Sequence, residues 1–375
     1  MSANDENDRT SKGYPAVITG GAGFIGSNLA DRLLGTGRKV LVLDDLSRPT
    51  SAVNLTWLRE RHGPALETRT ADVRDPRAVE EAVARASAVF HLATANETSD
   101  GSDPMKDFDV DARGTLNLLE AIRKRGATLP LIHASTVKVY RALGPVELRD
   151  VGSRCEPVEN ELREHGIPET RVVDPRGPHG CSKGAAEQYV LDYARTRELR
   201  AVVLRLGTVY GPRQFGTEEQ GFVSHLVARA ADSEAVTLRG DGRQVRDLLW
   251  IDDLVDALLG AHRVIDTLAG NAYNVGGGPA NSVSLLELLE RIERLEWRQP
   301  QVRSAPAHAE DPRYSVCDWR SFGSAIAWAP RVGVQEGLER LHEWVLSAGR
   351  RRTPATAMPP ESGDSVIEDR RVRAS

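Results

Sequence analysis

Thr19-Gly20-Gly21-Ala22-Gly23-Phe24-Ile25-Gly26 is the stretch that decides the fold of this 375-residue chain. It follows the apolar run Ala16-Val17-Ile18 and opens an amphipathic one, Ser27-Asn28-Leu29-Ala30-Asp31-Arg32-Leu33-Leu34. Strand, glycine turn and helix in that order suit a dinucleotide pyrophosphate. Glycine lets the backbone approach the phosphates, and the helix N-terminus offers them N–H groups and a positive dipole end. Gly20, Gly23, Phe24, Ile25 and Gly26 are therefore the expected cofactor contacts. A second apolar run, Lys39-Val40-Leu41-Val42-Leu43, ends in Asp44, 18 residues past Gly26, near where an acidic residue takes the ribose hydroxyls. Asp44 and Asp45 repel a 2′-phosphate, so NAD is favoured over NADP, and nearby Arg48 weakens that preference. The alternative is a purely structural turn, of which Gly35-Thr36-Gly37 is an example.

Composition narrows the class. With 27% charged residues the chain reads as an ordinary globular protein. Its net charge of −5 supplies no basic field for nucleic acid. No apolar stretch reaches 18 residues, and the acidic, polar N-terminus is unlike a signal peptide, so no membrane partner is expected. Cys155, Cys181 and Cys317 are scattered and odd in number, which suits a reducing cytoplasm and no metal site.

Segments 1–13 and 349–375 lack apolar periodicity and read as disordered tails. Between them strands alternate with helices: 88–92 strand, 115–122 helix, 130–134 strand, 184–195 helix, 200–205 strand. That rhythm predicts an α/β, Rossmann-type doubly wound parallel sheet. After Tyr210 short elements rich in Gly, Pro and Arg take over. They predict a smaller, discontinuous C-terminal substrate domain, 212–247 plus 276–348, set against an NAD-binding domain of 14–211 plus 248–275.

Three further segments bear on chemistry. His91-Leu92-Ala93-Thr94-Ala95 leaves a strand and places small residues against a ribose or nicotinamide. Ala134-Ser135-Thr136-Val137-Lys138-Val139-Tyr140 sets a hydroxyl just beyond the next strand. His179-Gly180-Cys181-Ser182-Lys183 opens a helix with positions 179 and 183 on one face. With the glycine turn and Asp44, residues 14–348 resemble the extended short-chain dehydrogenase/reductase family of NAD-dependent nucleotide-sugar epimerases and dehydratases. Within it the resemblance runs to the CDP-tyvelose (CDP-paratose) 2-epimerases. It is carried by Asp44-Asp45-Leu46-Ser47-Arg48-Pro49, Ser135 to Tyr140, Gly180 to Tyr189, Tyr210 to Gly221 and Gly240 to Asp247.

The resemblance implies a Tyr-x-x-x-Lys pair with a Ser or Thr hydroxyl at the reacting sugar. Carried over position by position, Thr136 is the hydroxyl and Lys183 the lysine, which also holds the nicotinamide ribose. His179 stands where the tyrosine belongs. Three readings stand side by side: His179 is the base, kept neutral by Lys183; another residue acts, Tyr140 or one in the poorly matched insert 141–178; or oxidation is lost and the chain is a silent NAD and nucleotide binder. Asp111-Ala112-Arg113-Gly114-Thr115 also departs from the family's Asn-Val-x-Gly-Thr, removing a donor near the site.

The resemblance further places Asp72 and Val73 by the adenine, and Leu92 and Ala93 by the cofactor. Thr94, Ser135, Arg213, Gln214 and Arg246 go to the nucleotide sugar, with guanidinium forks on its diphosphate. Val137-Lys138 occupies the place where dehydratases of the family carry an acid pair, so epimerisation through a transient ketone is favoured over dehydration. Other oxidoreductase or dehydratase chemistry on a nucleotide sugar is the alternative. Family members pair through helices corresponding to about 104–125 and 180–196, so a cytoplasmic homodimer handling a CDP-sugar is the expectation. Asn274-Val275-Gly276-Gly277 reads as a strand exit, and Cys181 as packing.

Overall fold

The protein is described by a computed structural model covering residues 13–95, 103–126, 128–140, 146–297, 300–307 and 311–349. The expected tails, 1–13 and 349–375, lie outside the described residues apart from Gly13 and Gly349. So does 141–145, the stretch that follows Tyr140.

Seven strands make one parallel sheet: β1 (Ala16–Thr19), β2 (Val40–Asp44), β3 (Leu66–Thr70), β4 (Ala88–His91), β5 (Leu131–Thr136), β6 (Ala201–Leu206) and β7 (Ala272–Val275). Their order across the sheet is β7-β6-β5-β4-β1-β2-β3, each neighbour pair parallel. Every residue of β1, β4 and β6 is buried, which is what near-continuous apolar runs demand when both faces are covered. On one face Leu29 and Leu33 of α1 (Phe24–Gly35) pack with Leu254 and Leu258. On the other, Leu118, Leu119 and Ile122 of α2 (Gly114–Arg125) pack with Val190 and Leu191 of α3 (Gly177–Thr196). This is the doubly wound α/β fold expected from the alternation.

The chain reverses its direction of travel across the sheet between β1 and β4, and a crevice opens at their carboxyl ends. Over that edge lies a second group of elements. Val245–Trp250 pairs with Thr208–Tyr210 and Tyr314–Ser315 in parallel and with Ser282–Ser284 antiparallel, while Val236–Arg239 pairs with Val302–Ala305. A boundary at 211 does not follow the packing. The hairpin Leu148–Val151/Arg154–Pro157 belongs with this second group, because Cys155 donates its N–H to Arg243 O at 2.9 Å and clusters with Val245, Tyr314 and Val316. Among the described residues no helix is long and apolar enough to cross a membrane.

The turn after β1 tolerates no side chain where it crosses α1. A Cβ on Gly26 would stand 2.3 Å from Gly20 O and 2.6 Å from Gly21 Cα, both backbone atoms that cannot swing aside. Gly26→Ala should therefore cost about 3 kcal/mol through overpacking, read as a lower urea midpoint. An unchanged midpoint would mean the turn is not held against the helix.

Candidate active site

The carboxyl ends of β1, β4 and β5 line a cavity of about 1080 Å³, just above the roughly 300–1000 Å³ usual for a single ligand. One end is bare backbone. Gly20 has φ +65°, and a Cβ there would meet Ala93 N at 2.8 Å. The first turn of α1 is capped by no side chain, since Gly23 precedes it in extended conformation, and it carries no acidic residue. Its N–H groups are thus left for an anion, and the glycine cradle fits a dinucleotide pyrophosphate. Phe24, Ile25, Asp72, Val73, Leu92 and Ala93 complete this part of the wall.

Asp44, at the end of β2, accepts from Ala22 N–H at 3.0 Å and from Leu46 N–H at 2.9 Å. It therefore clamps the glycine turn as well as facing the cavity. Burial pushes its carboxyl up, more than the two N–H bonds pull it down.

Behind the wall runs a directed chain of hydrogen bonds. The Thr115 hydroxyl donates to Asp111 O, so His91 Nε2, 2.9 Å from that hydroxyl, must be the donor to it. Nδ1 then accepts from the Thr19 hydroxyl at 2.6 Å, and Thr19 in turn receives Leu92 N–H at 3.2 Å. Burial, with the nearby Lys183 charge, pushes His91 down to about 3, so it stays neutral and keeps this one tautomer. The chain ties β1 and β4 to Asp111. That residue lies in a π-helical stretch, Phe108–Arg113, which runs directly into α2.

At the centre of the site stand Thr136, at the end of β5, and His179, in the first turn of α3, and both line the cavity. Lys183 does not line it. Its ammonium donates to Ala134 O at 3.3 Å and lies 3.4 Å from Asp111 Oδ1. Asp111 Oδ2 lies 3.5 Å from His179 Nδ1. Asp111 is completely buried. Burial alone would raise its carboxyl, but Lys183, His179 and the Thr94 hydroxyl outweigh that and hold it below the usual carboxylate range. A lysine acting alone on His179 is therefore not what the fold builds, because a carboxylate stands between them.

Other expected roles change. Tyr140 is no candidate base: its hydroxyl donates to Asn274 Oδ1 at 2.8 Å and receives Arg205 Nη1 at 2.6 Å, and burial pushes the phenol up. Gln214 lines the cavity, but Nε2 donates to Val209 O at 3.1 Å and Oε1 accepts from Ser224 at 2.6 Å. Its amide braces the loop instead of offering itself to a sugar. The Ser135 hydroxyl donates to Glu187 Oε2 at 3.0 Å, leaving only its lone pairs for a ligand. Arg213 lies 3.9 Å over the Trp57 ring, and Arg246 pairs with Asp311; both face the cavity, as does Thr94. Cys181 is exposed on α3, not packed.

Sequence reasoning missed Asp111 as a member of the site. The signal was present as a departure, Asp for Asn, but only the fold brings position 111 to 179. The chain matches the model of the NAD dependent epimerase/dehydratase family over residues 16–276. It is 36% identical to CDP-paratose 2-epimerase of Salmonella typhi, over 88% of this chain and 99% of the relative. Among solved structures it resembles UDP-glucose 4-epimerase of Thermus thermophilus in complex with NAD, with TM-score 0.72, 32% identity and coverage of 89% of this chain and 99% of the other. It also resembles UDP-glucose 4-epimerase of Thermotoga maritima with UDP-glucose, with TM-score 0.75, 29% identity and the same coverage.

The Tyr140 geometry yields a direct expectation. Tyr140→Phe should lose about 1–2 kcal/mol of stability from the buried network while leaving any turnover within about threefold. A hundredfold loss of turnover at unchanged stability would return the base to position 140.

Proposed function

Because the chain belongs to the NAD dependent epimerase/dehydratase family, we propose that it epimerises a nucleotide-activated sugar through a transient ketosugar. NAD is the resident cofactor; the glycine cradle and Asp44 would hold it, and when bound it would supply the hydride acceptor and donor for oxidation and re-reduction of the sugar carbon. The observation that carries this reading is that Thr136 and His179 line the same cavity as the glycine cradle. His179 receives the proton of the sugar hydroxyl as the carbon is oxidised and gives it back on reduction. An imidazole can take up a proton at a ring nitrogen and give it back, which suits reversible transfer. The Thr136 hydroxyl orients the same oxygen.

Val137 and Lys138 follow Thr136 along the cavity wall, so neither residue after it is an acid able to expel water from the sugar. That supports epimerisation over dehydration. Asp44 takes the adenosine ribose and disfavours a 2′-phosphate, while Arg213 and Arg246 receive the substrate diphosphate from the covering part of the chain, 212–247 and 276–348. The Salmonella relative favours a CDP-sugar and inversion at C2. A homodimer is part of the same reading. Met105 and Phe108, before α2, and Tyr189, on α3, are large apolar side chains left exposed on the segments expected to pair.

The test is to denature the purified protein, identify released NAD or NADH, and screen CDP-, UDP-, GDP- and dTDP-sugars by NMR for a new anomeric signal. Bound NAD and a new epimer are expected. His179→Gln should lower turnover by about 10²–10⁴-fold, the contribution of a positioned acid–base group, and His179→Tyr should not restore it. Bound NAD without conversion across the panel, or a large gain in His179→Tyr, would overturn the assignment of the base.

A further inference from the structure

Resting on the reading of the cavity as a nucleotide-sugar site, we infer that Glu218, Thr237 and Gln244 read the nucleobase and select one that carries an exocyclic amino group, cytosine or guanine, over uracil or thymine. All three line the cavity, together with Arg239 and His225. A nucleotide sugar holds its diphosphate between sugar and nucleoside. With the sugar at Thr136 and His179 and the diphosphate at Arg213 and Arg246, the nucleoside falls to the part of the wall that adjoins those arginines. Glu218 follows Arg213 by five residues, and Gln244 precedes Arg246 by two.

These three side chains offer lone pairs, and their donors are turned elsewhere. The Thr237 hydroxyl donates to Glu218 Oε1 at 2.6 Å, and Arg239 Nη2 donates to Glu218 Oε2 at 3.2 Å. The Thr237 hydroxyl outweighs burial and holds the Glu218 carboxyl below its ordinary value, so it is ionised at neutral pH and accepts only. Gln244 is buried, and its Nε2 donates to Arg239 O at 2.8 Å. That bond fixes which end of the amide is which, since a carbonyl oxygen must receive a hydrogen. Oε1 is left, and no described residue donates to it.

Acceptor oxygens joined in one hydrogen-bonded wall call for a donor. The amino group of cytosine or guanine brings two N–H bonds, whereas uracil and thymine turn a carbonyl oxygen to the place where cytosine has its amino group. Oxygen against oxygen away from water makes no hydrogen bond and leaves both groups unpaired, which is the stronger form of discrimination. Arg239 supplies the complement. It gives one nitrogen to Glu218 and keeps further N–H groups for a ring carbonyl. His225 adds an unfilled polar atom to the cavity lining, its buried Nε2 having no hydrogen-bond partner among the described residues.

Calorimetric titration of the full chain with CDP, UDP, GDP and IDP tests this without turnover, since each pair differs at the amino group. In at least one pair the amino member should bind about 10–100-fold more tightly, and the pair that shows the difference tells cytosine from guanine. Gln244→Met and Thr237→Val each remove an acceptor at similar shape, and together they should bring that ratio to within about threefold of unity. Equal affinity within both pairs, or tighter binding of UDP or IDP, would overturn the inference. So would folded variants that lose affinity for all four nucleotides alike with the ratio kept, because that marks Gln244 and Thr237 as braces. The expected ratio in a protein that converts no nucleotide sugar would overturn the epimerase reading and leave the base reading intact. Turnover of a UDP-sugar in preference to CDP- and GDP-sugars would do the reverse.

Discussion

The architecture depends on how closely the first turn of the chain can approach the neighbouring strand. Gly20 sits at positive φ with Ala93 against it, and Gly26 sits against Gly20. A side chain there would run into backbone atoms, of Ala93 in one case and of Gly20 in the other, and force the turn to shift. Because none is present, α1 points an uncapped N-terminus into the cavity and Asp44 ties the turn down from the next strand. The cofactor end of the site is thus made mainly of backbone and one carboxylate.

The reacting end is made of charge that must be balanced. Buried Asp111 and Lys183, with part-exposed His179 beside them, form a group whose net charge is near zero while the imidazole is neutral. Taking up a proton there adds a positive charge next to a carboxylate already in place, so little reorganisation is needed. A second buried network supports this region from behind. Arg205 reaches Glu187 on α3 and Tyr140 beyond β5, and Tyr140 reaches Asn274 on β7. Tyr140 and Ser135, which look available in the sequence, are spent on this bracing. It fixes the end of β5 where Thr136 stands.

Much of the fold was legible because its cues are local. The run Ala16-Val17-Ile18 before the glycines, the valines of β2 and Ala201-Val202-Val203-Leu204 of β6 each announce a buried strand. Two elements were not. β3 is the sheet edge, and Leu-Glu-Thr-Arg-Thr buries only its leucine, so it carries no apolar run to read. The Leu148–Val151/Arg154–Pro157 hairpin has equally little burial of its own. Its place is set by Arg243 and Tyr314, far along the chain.

The sequence by itself determined what depends on residues close in the chain: a strand–glycine–helix cradle, an acid at the end of the second strand, a hydroxyl at the end of β5, and a histidine one turn before a lysine. These rest on backbone sterics and helical or strand periodicity, which act over a few residues. Only the tertiary structure decided what each side chain is paired with. It placed Asp111 between Lys183 and His179 and set Tyr140 against Arg205 and Asn274. The physical reason is that buried polar groups must find partners wherever the fold brings them, and those partners lie tens of residues away.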